Sequence, residues 1–194
     1  MVRENIWRHK IGQVKSTRGK VHKYSGMTLD FRSPGKVKID MRDYVKKMVK
    51  DFPEEFDHED VVNPAMSKLF QVSPQSKQLN KQNSEIFHTF VAKGLFLSKR
   101  ARPDINPTIP FLCTRVQAST SKDWNKLKRL LLFLKTTKED VLTLSADNTH
   151  IVKWEVDASY VVHPDMKGHT GATMTLGKGA ITSLPNKQKS IPEA

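Results

Sequence analysis

The chain has 194 residues, room for one or two domains with a sizeable core, and its 33 Lys and Arg against 20 Asp and Glu give a net charge of +13. One cysteine, Cys113, leaves no disulfide framework and no multi-cysteine zinc site, and no apolar run approaches the roughly 20 residues that span a bilayer. The charge is uneven: residues 1–50 hold 14 basic and 4 acidic residues, a net +10, which points to a polyanion, nucleic acid rather than membrane, the alternative being a solvated face that keeps the chain soluble.

Residues 1–19 are weakly patterned, and Arg3, Glu4, Arg8, His9 and Lys10 interrupt any apolar leader, so an intracellular protein, cytoplasmic or nuclear, is expected. From Lys20 to Ile39 the apolar residues Val21, Tyr24, Met27, Leu29 and Phe31 precede Ser33-Pro34-Gly35, and Val37 and Ile39 follow it, which reads as a β-hairpin. Asp40 then caps a helix. Met41, Tyr44, Val45, Met48, Val49 and Phe52 form its apolar face, Arg42, Lys46, Lys47 and Lys50 its charged one, and Pro53 closes it. Residues 54–83 read as a linker: the charge sign reverses in EEFDHED, then Ser, Gln, Asn, Lys and Pro dominate. Asp57, His58 and Glu59 resemble a metal-ligand group in composition, but such a segment lacks the fixed geometry a metal needs.

Residues 84–138 are predicted to be helical. Ser84 is placed as the N-cap of a helix bearing Ile86, Phe87, Phe90, Val91, Leu95 and Leu97, followed by the basic exit Lys99, Arg100 and Arg102 and by Pro103. Ile109, Leu112, Cys113 and Val116 mark a second helix that starts at or just before Pro110 or is kinked there. Thr120 or Ser121 caps a third, lined by Trp124, Leu127, Leu131 and Leu134. On its other side Lys122, Lys126 and Arg129 have a spacing suited to successive phosphates, or equally to a solvated charged face. In residues 139–194 the period changes to that of strands: Val141 to Leu144, the turn Asp147-Asn148, Ile151 to Val156, and a hairpin of Gly171–Leu176 and Ala180–Leu184 turning at Gly177-Lys178-Gly179. Helices flanked by strands make an α+β chain.

The strings FHTFVAKGLFLSKRARPDI, FLCTRV and KDWNKLKRLLLFLKTT carry an aromatic-start helix with a small-residue centre, the motif Arg102-Pro103-Asp104, a Trp-bearing helix, and Lys135 and Thr137 as its stop. Together with HKYSGMTLDF and GKVKIDMRDYVKKMVKDFPEEF upstream and KWEVDASY downstream, they resemble copia-type retrotransposon Pol polyproteins over roughly residues 18–194. The resemblance implies a palm-exit hairpin and helix over 1–53, thumb- or connection-like reverse transcriptase helices over 84–138, and the first strands of an incomplete ribonuclease H-like sheet over 139–194. It makes Asp157 the first of the carboxylates that bind Mg²⁺, Glu193 the next catalytic position, and an RNA/DNA hybrid or single strand, bound without regard to sequence, the partner. His163, Asp165 and His169 read as solvated loop residues. The polymerase Asp-Asp pair is missing, since no two aspartates are adjacent. The expectation is a truncated piece, inactive by itself, that retains nucleic-acid binding; the alternatives are a metal-dependent ribonuclease H completed by flanking sequence, or a non-functional relic.

Overall fold

The protein is described here by a computed structural model, which covers residues 18–56, 60–65, 68–159 and 167–188. Three antiparallel strands open it, β1 (Val21–Tyr24), β2 (Met27–Asp30) and β3 (Lys36–Asp40), where the sequence reading had one hairpin. The missed turn is Ser25-Gly26, with φ of 49° and 77°, which lets Tyr24 pair with Met27 across a two-residue loop. Serine at a left-handed position is uncommon, so the turn carries only half of the usual Asn-Gly signal.

Helix α1 (Arg42–Lys50) follows. Asp40 does not cap it: the carboxylate lies one residue too early and accepts instead from the Arg42 backbone and guanidinium. Helix α2 (Lys81–Ser98) begins three residues before the Ser84 cap read from the sequence, because Asn80 Oδ1 accepts from Asn83 N at 2.8 Å. A 3₁₀ turn (Pro103–Ile105) leads to α3 (Ile109–Arg115), with Pro110 in the first turn, where its missing N–H costs nothing. Helix α4 (Ser121–Thr136) starts at Thr120 in a full capping box with Asp123.

The helices share one core. Met48 of α1, Phe87, Val91 and Leu97 of α2, Ile109 and Leu112 of α3, and Leu127, Leu130, Leu131 and Leu134 of α4 are all essentially inaccessible. Gly94 permits the closest approach, since a Cβ there would meet Ile109 Cδ1 at 2.4 Å. The segment between α1 and α2 packs along this bundle: Val61 and Leu69 are buried, Leu79 N donates to Ser119 O, and Gln78 bridges to Thr120.

At the far end of α4 the buried Arg102 guanidinium donates to the Asp104 carboxylate at 2.6 to 3.1 Å and to Thr137 O at 3.0 Å, and lies over the Phe133 ring. The Arg-Pro-Asp motif and the Thr stop are therefore one contact, joining the exit of α2 to the exit of α4.

After α4, strand β4 (Leu142–Ala146) returns to pair with β3, Val37 opposite Leu144. The next strands, β5 (Lys153–Ser159) and β6 (His169–Thr175), form a second antiparallel sheet with β8 (Thr182–Ser183) and β9 (Asn186–Lys187). The expected hairpin forms, with Thr173 of β6 opposite Ser183 of β8, but its connection is more than a turn: within it β7 (Gly177–Lys178) pairs with β4 and completes a five-stranded sheet in the order β1-β2-β3-β4-β7. Glycine is required there because a Cβ at Gly177 would stand 2.5 Å from Ser145 O, and φ is +155°. Among the described residues no helix is long and apolar enough to cross a membrane.

Leu131 is fully buried, so Leu131→Ala should destabilise by about 2 to 5 kcal/mol in urea unfolding. Asp104→Ala strands a buried guanidinium and should cost about 3 kcal/mol, with the same readout. Glu139 takes Lys46 Nζ at 2.9 Å and Arg42 Nη1 at 3.3 Å, and the Lys46 hydrogen bond above all holds its carboxyl below the ordinary range; Arg42 does the same to Asp40. Lowered folded-state values stabilise fully above the unfolded pKa values of about 4 and are lost as pH falls through them. Unfolding midpoints measured from about pH 6 down to pH 3 should fall less steeply in Glu139→Gln.

Candidate nucleic-acid interface

Strand alternation sorts the five-stranded sheet into two faces. Leu29, Ile39 and Leu142 lie opposite one another on one face, with Met27, Val37 and Leu144; Met27 and Ile39 pack on the helical core. The register puts Lys23, Lys36, Lys38 and Lys178 on the other face, among Thr28, Thr143 and Ser145, and all four lysines are exposed. Lys36 and Lys38 stand about 6.6 Å apart along their strand, two residues at about 3.3 Å each. The two carboxylates of this face are occupied. Asp30 accepts from Arg32 Nη2 at 2.6 Å, and that guanidinium holds its pKa near 2; Asp40 accepts from Arg42 Nη2 at 2.7 Å. The sequence reading found the charge of this region but not these lysines, because which strand residues share a face depends on the Ser25-Gly26 turn and on the return of β4.

The six basic residues singled out from the sequence divide. Lys47 and Lys50 of α1 are exposed and make no ion pair among the described residues. Lys46 is exposed but paired with Glu139. On α4 the expected row does not form. Arg129 is half-buried, Lys122 is exposed with Nζ donating to Ser73 Oγ at 2.9 Å, and Lys126 is buried, at 7% exposure. Lys126 turns inward because its stem lies over Phe111, with Nζ 4.4 Å from the ring centroid, and its ammonium donates to Gln71 O at 2.7 Å. Burial pushes its pKa down, against the attraction of Asp123 and with the repulsion of Arg115 and Lys122. Lys122 and Lys126 meet instead on the wall of a pocket of about 460 Å³ whose other lining is Lys68, Gln71, Val72, Ser73, Pro74 and Asn125. Lys68 and Gln71 come from the segment between α1 and α2, where no periodic signal could have marked them.

Asp157 lies in β5 opposite Gly171, and every residue of that strand is exposed. Glu155, Asp157 and Ser159 line a groove of about 460 Å³ with His169 of β6, and Phe70, Pro103 and Asn106 line it too. His169 is not a solvated loop residue: it opens β6, its ring centroid lies 5.4 Å from that of Phe70, and burial lowers its pKa. Asn106 is buried, and neither atom of its amide has a hydrogen-bond partner in the described structure. Nothing in the sequence set this asparagine apart. Among the described residues no three His, Cys, Asp or Glu side chains come together as a metal site. Glu193, His163 and Asp165, like Asp57, His58 and Glu59, lie outside the described residues. Cys113 is half-buried against the helices, and burial pushes its thiol up.

The amino-acid sequence is similar to that of a transposon Ty5-1 protein of Saccharomyces cerevisiae, 24% identical over 174 residues that cover 88% of this chain and 54% of that protein. The chain thus spans about half the length of the curated relative it matches. No family model matches the chain, and no solved structure does. The similarity runs along nearly nine-tenths of this α+β chain, and it supports a retrotransposon-related origin.

Proposed function

We propose that the chain is a piece of a copia-type retrotransposon Pol polyprotein, spanning the end of the reverse transcriptase and the start of the ribonuclease H, and that its activity is sequence-indifferent nucleic-acid binding without catalysis. The observation that carries the binding is the lysine face of the five-stranded sheet, Lys23, Lys36, Lys38 and Lys178, with its carboxylates already taken by Arg32 and Arg42. A row of exposed ammonium groups without competing anions binds a phosphate backbone by releasing counterions, which depends on charge and not on base sequence. Lys47 and Lys50 on α1 add two more exposed ammonium groups that make no ion pair among the described residues. The similarity to a Ty5-1 protein supports the transposon origin.

The absence of catalysis rests on the donor set around Asp157. Two Mg²⁺ ions acting on a phosphodiester need several oxygen ligands converging between them. The described groove offers Glu155 and Asp157 on one strand, with Ser159 and His169 beside them, and this set does not fit a two-ion centre. No hydrolytic step follows from it.

Three phosphate contacts on the sheet face contribute about −2 to the log–log salt slope of a single strand, hence by themselves roughly a tenfold loss of affinity from about 50 to about 150 mM salt. Fluorescence anisotropy with oligothymidine and with an unrelated mixed-sequence strand should show this loss equally for both. Lys36→Gln with Lys38→Gln should flatten the slope by about 1.4, at about 0.7 per lost contact. Substitution is the right probe because α1 supplies Met48 and Val45 to the core, so deleting the basic region would unfold the bundle. Salt-independent binding, or none, overturns the proposal. Incubation with an RNA/DNA hybrid in Mg²⁺ or Mn²⁺ should give no cleavage; turnover that disappears in Asp157→Asn would overturn the inactive assignment.

A further inference from the structure

The pocket between the start of α4 and residues 68–74 is lined by positive charge alone. Three lysines line it and no carboxylate does. The nearest, Asp123, is buried and already accepts from the Thr120 backbone at 3.0 Å, from the Thr120 hydroxyl at 2.8 Å and from Arg115 Nε at 3.3 Å, and it stays 4.0 Å from the Lys126 ammonium. Lys126 has only the neutral Gln71 carbonyl as a close acceptor, although its side chain is more than nine-tenths buried. An ammonium removed from water beside other cations is costly unless an anion approaches it. Lys122 reaches the same space from one turn earlier, held by Ser73, and exposed Lys68 faces them from the preceding segment. Gln71 and Asn125 add amide groups, and Val72 and Pro74 form an apolar wall.

We infer that this pocket is a phosphate-binding site, taking a phosphate group of a nucleic-acid strand on the Lys126 ammonium with Lys122 and Lys68 at its rim. The apolar wall formed by Val72 and Pro74 accepts the sugar next to that phosphate. The assignment to nucleic acid rests on the function proposed above; the phosphate chemistry of the pocket does not. It differs from the sheet face in kind: there exposed ammonium groups act at a distance through solvent, here a dehydrated one makes a short charge-assisted hydrogen bond.

The test uses the full chain with two probes. Inorganic phosphate is titrated against protein carrying ¹³C-labelled lysine, at constant ionic strength held with chloride, and the Lys126 Cε resonance is followed by NMR. Phosphate should move it with saturation, and Lys122→Gln, an exposed change that leaves the core intact, should weaken that binding several-fold. The second probe is an oligothymidine followed by anisotropy, where Lys126→Met and Lys122→Gln should each reduce the salt slope by about 0.7. If phosphate and the strand both leave the Lys126 resonance where it was, the pocket is no phosphate site. If the strand binds with salt slopes unchanged by either substitution, the pocket assignment fails while the lysine-face reading stands. If phosphate saturates Lys126 but no strand binds, the pocket is a phosphate site and the nucleic-acid reading fails.

Discussion

A buried guanidinium dictates much of this architecture. Arg102 is 3% exposed, and a charge so far from water needs both an anion and further acceptors. Asp104 supplies the first in a two-pronged pair, and Thr137 supplies its carbonyl at the end of α4. Pro103 between them holds the backbone in the tight turn that brings the carboxylate back onto the guanidinium. Once those bonds are made, the exits of α2 and α4 are fixed side by side. The chain leaving α4 is thereby aimed at Leu142, where it enters the sheet beside β3.

The positive charge follows from that placement. Because β4 lies against β3, the sheet has an apolar face of Met, Leu, Ile and Val, of which Met27 and Ile39 pack on the helical core, and an outer face left to lysine and threonine. Aspartates on the outer face do not cancel the lysines, since each has an arginine two residues later that folds back on it. Such local pairs contribute little stability at the surface. Their effect is to neutralise the acidic residues individually and leave the ammonium groups uncompensated.

The helical core is tight and the second sheet is open. Among the described residues twelve large side chains are essentially inaccessible, all within the helices and the short turn joining them, whereas β5 exposes Trp154 to 50% and Val156 to 66%. An edge strand with apolar residues on its surface gains little from burial in this chain. The carboxylates Glu155 and Asp157 therefore stand on a strand exposed along its whole length, in solvent that competes for any cation they attract.

Helix periodicity, capping and proline rules follow local stereochemistry, and here they were legible: the apolar stripe Trp124, Leu127, Leu131 and Leu134, the Thr120 cap, and Pro110 in the first turn of α3 all stand where the sequence puts them. The α+β class was equally legible from the change of period after Thr136. What failed involved distance along the chain. Gly177-Lys178 reads as a turn whichever strand it meets, and only the position of β4 makes it a fifth strand. Asp40 has the composition of a cap, yet a guanidinium two residues away outcompetes the helix for it. Lys126 shares a helical spacing with Lys122, but the Phe111 ring and the Gln71 carbonyl, from elements 15 and 55 residues earlier, draw it inward. A sequence specifies which residues are polar and at what period; whether a lysine meets solvent, a carboxylate or an aromatic ring is decided by what the fold brings against it, because burial and Coulomb interaction depend on distances in space.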